Sequence, residues 1–134
     1  MDVISIEQKS VYNEMIWTEA EKKFSVAVRN DIKDFLKVNN GGYPKEDIII
    51  VKDSEYEVRV FLSLDRNDNN YCIEKPLDYF LSNTKGKMVP IAIDSGDNYY
   101  CVNNETGKVY YWMANSDSYY LIAGSIADFE KLFK

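Results

Sequence analysis

The stretch of residues 88–112 constrains the fold of this chain more than any other. Three short runs begin at residues 88, 98 and 108 and end at residues 93, 103 and 113. All three are rich in aromatic and β-branched side chains, which suit a pleated, half-buried surface. Residues 94–97 and 104–107 separate the runs, and each contains a glycine and short polar side chains that bond the local backbone in turns. The pattern predicts a three-stranded antiparallel meander.

The four-residue loop at 104–107 also sets the register of the second hairpin. It predicts the cross-strand pairs Tyr99–Trp112, Tyr100–Tyr111 and Val102–Val109. Because side chains alternate along a strand, one face then carries Val102, Tyr100, Val109 and Tyr111, and the other carries Tyr99, Cys101, Tyr110 and Trp112. A sheet with one solvated face usually alternates apolar with polar residues. Two aromatic faces therefore indicate either helices on both faces or one face that binds a partner.

Four amphipathic helices are predicted around this sheet. The first begins near Ser5, with Gln8 at the capping-box position, and ends within residues 19–23. The second helix spans residues 30–39, with Asn30 as its cap. The third begins at Pro76. The last follows the capping residue Ser125, with Asp128 at the capping-box position. The predicted inward-facing residues are Ile4, Gln8, Val11, Met15 and Glu19, widened by Tyr12 and Ile16, in the first helix; Ile32, Phe35 and Leu36 in the second; Ile73, Leu77, Phe80 and Leu81 in the third; and Ile126, Phe129, Leu132 and Phe133 in the last.

Further strands are predicted outside the meander. Residues 48–51 are β-branched throughout and too few for a helix, which favours a buried strand. Residues 56–62 alternate, with Tyr56, Val58, Val60 and Leu62 on one side, and residues 119–123 form the last strand. Residues 65–70 are the most polar run and are expected to be a solvated loop. The sequence thus predicts an α+β fold, with a mainly antiparallel sheet flanked by helices, in one domain over residues 1–134.

Composition limits the partners of the chain. Sixteen Lys and Arg against 22 Asp and Glu give a net charge of −6, which argues against nucleic acid and anionic membrane surfaces as direct partners. A basic protein partner remains open, although the charge also serves solubility alone. With no signal pattern and no apolar run near the roughly 20 residues that cross a bilayer, we expect a cytoplasmic protein.

The absence of histidine excludes the most common catalytic arrangements. Ser–His and Cys–His nucleophile pairs, histidine bases and histidine-ligated zinc are all impossible, and no cofactor motif is present, so we expect neither an enzyme nor a cofactor. A pair of carboxylates acting as acid and base stays an alternative. Asp65, Asn67 and Asn69 have calcium-loop spacing, but Asn70 and Pro76 replace the required Gly and Glu, so a solvated loop without a metal is favoured. Cys72 and Cys101 have no metal-ligand spacing and are expected to be reduced thiols.

Two blocks of the chain resemble the SUKH superfamily, which includes the yeast Smi/Knr-type cell-wall regulators and many bacterial proteins. Residues 28–42, VRNDIKDFLKVNNGG, are similar to its helix with a Phe-Leu pair followed by Asn-Gly-Gly, and residues 88–112, MVPIAIDSGDNYYCVNNETGKVYYW, are similar to its central strands. Val28-Arg29 stands where the family usually has Leu-Pro, and Asp97 stands where a second Gly is common. The closing SIADFEKLF resembles the family's last helix. The resemblance implies an α+β domain with a strongly bent sheet and no catalysis.

The resemblance also implies a function. Bacterial members are commonly immunity proteins that bind and neutralise a cognate toxin, often a nuclease, from a polymorphic toxin system. The alternative is a non-catalytic regulatory or scaffold module of the cell-wall-regulator type. The resemblance carries no binding residues over.

The candidate partner-binding residues come from charge. Nuclease toxins hold phosphate and tend to present basic clefts, and acidic groups on projecting loops would speed association with such a cleft. The candidates are Asp65, Asp68, Asp94, Asp97 and Asp117, with Tyr119 and Tyr120 as aromatic anchors. The alternative for each aspartate is an ordinary turn residue.

Overall fold

The computed structural model describes residues 3–4 and 11–133. Its helices are α1 (Met15–Phe24), α2 (Asn30–Val38), α3 (Glu74–Asn83) and α4 (Ile126–Glu130). Its strands are β1 (Val3–Ile4), β2 (Tyr43–Pro44), β3 (Ile48–Val51), β4 (Ser54–Glu57), β5 (Val60–Phe61), β6 (Met88–Ile93), β7 (Tyr99–Asn103), β8 (Val109–Met113) and β9 (Ser118–Ala123). None of these helices is both long and apolar enough to cross a membrane.

The meander is confirmed and forms the centre of a five-stranded antiparallel sheet in the order β5-β6-β7-β8-β9. Tyr99 pairs with Trp112, Tyr100 with Tyr111, and Val102 with Val109, as predicted. The register shifts between Pro90 and Ala92 and again between Val109 and Tyr110, and such bulges bend a sheet. Pro90 is tolerated inside β6 because it lies at one of these irregularities. The predicted α+β fold, with a mainly antiparallel sheet flanked by helices, is therefore confirmed.

Helices cover the two faces of the sheet unequally. On the first face, Tyr100, Val102 and Val109 lie fully buried in a large core with α2 and α4, where the Phe35 and Phe129 rings are 6.3 Å apart. On the second face, Phe80 of α3 packs on Trp112 with ring centroids 5.0 Å apart. Phe80, Met88, Cys101 and Trp112 form a separate small cluster there. Beyond α3 this face stays partly open, since Leu121 is 50% exposed.

Three of the four helices have the predicted inward faces. Ile32, Phe35 and Leu36 are buried in α2, Ile73, Leu77, Phe80 and Leu81 in and beside α3, and Ile126, Phe129 and Phe133 in and after α4. The Ser125 hydroxyl caps α4 by accepting a hydrogen bond from the Asp128 N–H at 3.0 Å. The predicted cap Asn30 is wrong, because the capping position belongs to Arg29, whose extended ψ of 141° lets Asn30 start the helix.

The prediction for the first helix is wrong in position and in most of its face, although Ile16 is buried and Tyr12 packs against the core as predicted. α1 begins at Met15, and Ile4 pairs with Tyr43 in a short antiparallel ladder instead of lying on a helix. Val11 and Met15 are 64% and 54% exposed, whereas Ile16, Trp17 and Ala20 are buried. Because Val11 and Ile4 are not helical, they cannot continue the face of α1, and its buried stripe is set by the spacing of Ile16, Trp17 and Ala20. The predicted capping box of Ser5 and Gln8 lies outside the described residues.

The predictions for residues 48–51 and 56–62 also need correction. β3 is a strand, but among the described strands it pairs with β4 alone, in a separate two-stranded hairpin, and only Ile49 of its three isoleucines is buried. The run 56–62 is not one strand. The Val58 N–H donates to the Asp47 carbonyl and the next N–H, of Arg59, donates to the Ile93 carbonyl, so the chain passes from the hairpin to the large sheet at this point.

Candidate functional site

Two turns meet at one end of the five-stranded sheet, and we call them together the turn end. They are residues 94–98, between β6 and β7, and residues 114–117, between β8 and β9. In an antiparallel meander, alternate connections fall at the same end of the sheet. The Ala114 N–H donates to Asn98 Oδ1 at 2.9 Å and so joins the two turns. Five of the seven predicted binding residues, Asp94, Asp97, Asp117, Tyr119 and Tyr120, lie in or directly after these turns.

Asp94 organises the first turn from a buried position. The residue is only 9% exposed, and its carboxylate accepts hydrogen bonds from the Gly96 and Asn98 N–H groups at 2.9 Å and from the Tyr111 hydroxyl at 2.5 Å. Burial and this hydrogen bond to Asp94 raise the pKa of Tyr111 above its ordinary value. Asp94 is therefore not the exposed loop charge that was expected, because its carboxylate oxygens accept hydrogen bonds from groups within the fold.

Asp97 and Asp117 differ from Asp94 because both are exposed. Both also have left-handed backbones, with φ of 62° and 49°, a conformation that Asp and Asn adopt more readily than most residues. Asp117 Oδ1 accepts a hydrogen bond from Trp112 Nε1 at 2.7 Å, which fixes the second turn to the small cluster beneath it. The turn end thus presents two exposed carboxylates, of which Asp117 is fixed by a hydrogen bond.

A shallow depression of about 310 Å³ lies between Asp97 and α3, and we call it the α3-side depression. Its floor is aromatic: Phe80 is 5.6 Å from Tyr99 and Tyr79 is 5.8 Å from Trp112, measured between ring centroids. Tyr79 is 48% exposed at its edge. Tyr119 continues this face of the sheet, half-buried, and burial followed by nearby acidic groups raises its pKa.

A second depression of about 330 Å³, the hairpin-side depression, lies on the opposite face of the sheet. Tyr120 enters it because neighbouring residues of a strand point to opposite faces, so Tyr119 and Tyr120 serve different surfaces. Tyr120 is 45% exposed and Met113 37%. The described residues that line this depression are Ser54, Glu55, Tyr56, Glu57, Tyr111, Met113 and Tyr120, which include two carboxylates and no base.

Asp65 and Asp68 are not brought to the turn end. The Asp68 carboxylate accepts hydrogen bonds from the Ser63 hydroxyl and the Tyr71 N–H, both at 2.9 Å. Asp65 accepts from the N–H groups of Asn67 at 2.9 Å and Val11 at 3.3 Å. Both side chains thus order the loop before α3. Among the described residues no group of three or more Cys, Asp or Glu side chains is arranged to hold a metal ion.

Sequence reasoning did not select Glu55, Glu57, Tyr79 or Met113. Glu57 falls within the run 56–62 that the alternation predicts as one strand, and Glu55 lies just before that run, so the prediction did not group the two glutamates. The alternation of Glu55, Tyr56 and Glu57 was the available signal, since in a half-buried strand it puts both carboxylates on the solvent face. Tyr79 was passed over because it lies one position off the buried stripe of α3.

A third cavity, of about 520 Å³, lies away from the turn end beside β2 and β5. Its lining residues include Lys45, Asp47, Arg59 and Tyr71, and Arg59 Nε donates to the Tyr71 hydroxyl at 3.3 Å. Arg59 and Lys45 are exposed, so their charges are solvated.

Comparison with known proteins identifies one family. The sequence model of the SMI1 / KNR4 family (SUKH-1) matches residues 13–131. No curated protein matches the chain significantly.

Proposed function

The chain belongs to the SMI1 / KNR4 family (SUKH-1), and from this membership we propose that it is an immunity protein that binds and neutralises a cognate toxin. The observation that carries the proposal is the turn end, where exposed Asp97 and Asp117 flank partly exposed aromatic side chains. Aromatic anchors inside a polar rim are the usual composition of a protein-binding surface. The carboxylates suit a basic partner, such as the phosphate-binding cleft of a nuclease.

Neutralisation is tested directly by co-expression. The product of the gene that precedes this one in the native genome is expressed as the candidate toxin with and without the protein, and growth is recorded. We expect growth to be restored and the two chains to elute together from a sizing column. If the protein neither restores growth nor forms a complex, the immunity function is wrong and the regulatory alternative becomes the better account.

The part played by Asp97 and Asp117 is tested by a double variant, Asp97→Asn with Asp117→Asn. Asparagine tolerates the left-handed backbone at both positions and can still accept the Trp112 hydrogen bond, so folding is preserved. We expect association with the toxin to slow roughly threefold or more at low salt, with little change in dissociation, because rim charges act mainly on the encounter rate.

The matched control is Asp34→Asn with Glu105→Gln. Both residues are exposed, the change in net charge is the same, and they lie on α2 and at the opposite end of the sheet. Equal association rates for the two double variants would place the interface away from the turn end.

A further inference from the structure

Residues 46–57, which are the β3–β4 hairpin and the two residues before it, carry a local excess of negative charge. Of the 22 acidic and 16 basic side chains in the sequence, five acidic and one basic lie in residues 46–57, which leaves 17 and 15 for the rest. The five carboxylates are Glu46, Asp47, Asp53, Glu55 and Glu57. The exposed bases Lys45 and Arg59 stand close to the two ends of this segment, so its carboxylates contribute to the long-range attraction for a basic partner without accounting for most of it.

These carboxylates are not neutralised within the fold. None of the five makes an ion pair with a described residue, whereas elsewhere Arg66 bridges Glu19 and Glu74, and Lys33 pairs with Glu21 at 3.1 Å. Four of the five are exposed. The fifth, Glu57, accepts hydrogen bonds from the Ser95 N–H and hydroxyl, both at 2.8 Å. The negative electrostatic potential of these carboxylates therefore extends into the solvent, where it can attract a basic partner.

The outer face of the same hairpin exposes apolar side chains. Ile48 and Ile50 are 45% and 52% exposed and pair across the ladder with Glu57 and Glu55. The inner face is ordinary core, since Ile49 is 1% exposed. Two large aliphatic side chains with a carboxylate opposite each have an apolar centre beside charged groups, which is the composition of a binding surface.

The hairpin is held firmly against the large sheet. The Tyr100 hydroxyl donates to the Glu57 carbonyl at 2.7 Å, and Tyr56 packs on Tyr111 with ring centroids 5.4 Å apart. Together with the Ser95 hydrogen bonds, these contacts fix the outer face relative to the turn end. A surface held in place before binding loses little conformational entropy on association. Through Glu55 and Glu57 the outer face is also continuous with the hairpin-side depression.

We propose that the outer face of the β3–β4 hairpin is the main docking surface for the toxin, a partner with a basic surface that contains an apolar recess. Ile48 and Ile50 enter the recess, and the surrounding carboxylates meet its basic rim. The turn end then contributes the margin of the interface. This assignment rests on the proposed immunity function and specifies the surface that performs it.

The test compares two variants against the purified, catalytically inactive toxin encoded beside the gene. Ile48→Thr with Ile50→Thr keeps both side chains β-branched, so the hairpin is preserved while its apolar surface is reduced. We expect affinity to fall tenfold or more, mainly through faster dissociation. The control is Val38→Thr, which makes a similar change at a residue of α2 that is 82% exposed. It should bind as the unaltered protein does.

Urea unfolding of each variant confirms that the fold is retained. Unchanged affinity of the double threonine variant, with the unaltered protein binding normally, would overturn the hairpin assignment and leave the immunity function standing. Failure of the unaltered protein to bind the toxin would overturn both. Hydrogen exchange gives a second readout, since the β3–β4 amides should become protected in the complex; protection confined to other elements would also refute the assignment.

Discussion

Asp94 and Asp97 stand three residues apart in one turn, and burial separates their roles. The Asp94 carboxylate is enclosed and accepts hydrogen bonds from two backbone N–H groups and Tyr111, so it stabilises the turn. Asp97 is exposed at the edge of the α3-side depression, where its negative charge can attract an approaching basic group. A carboxylate whose oxygens already accept hydrogen bonds within the fold contributes little to binding a partner.

The two cysteines also differ by burial, and this predicts different costs of substitution. Both are free thiols, as expected, with Cys101 fully buried in the small apolar cluster and Cys72 half-buried beside Glu74. Burial raises the pKa of both thiols, so both stay protonated at neutral pH. Cys101→Ser should lower the free energy of unfolding by about 1–3 kcal/mol, because it buries a hydroxyl without a partner. Cys72→Ser should cost less than about 1 kcal/mol.

Urea unfolding of the two serine variants measures these costs. Equal losses would show that the burial of Cys101 does not determine its contribution. A reducing agent should leave the melting temperature of the unaltered protein unchanged, and a large drop would mean that a disulfide is present.

Local patterns account for most of the elements that the sequence predicted. The meander register follows from the loop at 104–107, and the faces of α2, α3 and α4 follow from apolar spacing within each helix. The predicted burial of β3 is wrong because an Ile-Ile-Ile-Val run has the same composition whether other elements pack on one face of the strand or on both. Which faces are packed depends on segments that are distant in the sequence. For the same reason the sequence could not separate Asp94 from Asp97, or show that Asp65 and Asp68 bind their own loop.

The β7–β8 loop depends on Gly107, which gives a prediction at this level. Its φ is +81°, and a Cβ atom there would lie 2.8 Å from an Arg29 guanidinium nitrogen. That guanidinium is itself held by Asp31 at 3.0 Å and by the Glu105 carbonyl at 3.3 Å. Gly107→Ala should therefore lower the free energy of unfolding by about 1–2 kcal/mol, the usual cost of a left-handed L-residue.

Gly124→Ala is the matched control for this loop. A Cβ atom at Gly124 would meet Asp128 Oδ2 at an ordinary contact distance of 3.6 Å, and its backbone is not left-handed. Denaturant unfolding should show a change below about 0.5 kcal/mol for this variant. If both variants lose the same stability, the strain attributed to Gly107 is not the cause.

The sequence has no histidine, but one tyrosine is buried and others are partly buried, so the free energy of unfolding should change with pH in the alkaline range. Burial raises the pKa of Tyr100, Tyr111 and Tyr119 above the ordinary value of 10.0. Above about pH 10 the unfolded chain releases these protons while the folded chain keeps them, so the free energy of unfolding falls as pH rises. Below about pH 9 the folded and unfolded chains both keep these protons, so these tyrosines do not make the free energy of unfolding depend on pH there.

Urea unfolding between pH 8 and pH 11 checks this dependence. Tyr100→Phe removes one such group, so the fall above pH 10 should be shallower by up to about 1.4 kcal/mol per pH unit. It should also lower stability at pH 8 by about 1 kcal/mol, because the hydrogen bond to the Glu57 carbonyl is lost. An identical alkaline slope in the variant would contradict the assignment to Tyr100.

The division of the interior into two clusters also divides the optical signal of the protein. Trp17 lies in the large core, where its Nε1 donates to the Tyr12 hydroxyl, and Trp112 lies in the small cluster, where its Nε1 donates to Asp117. Native fluorescence is therefore the sum of two indoles in separate surroundings. A partner bound at the turn end should change the fluorescence of Trp112, which is hydrogen-bonded to the exposed Asp117, and should leave that of Trp17 in the large core unchanged. Intrinsic fluorescence can therefore report the proposed binding without an added label.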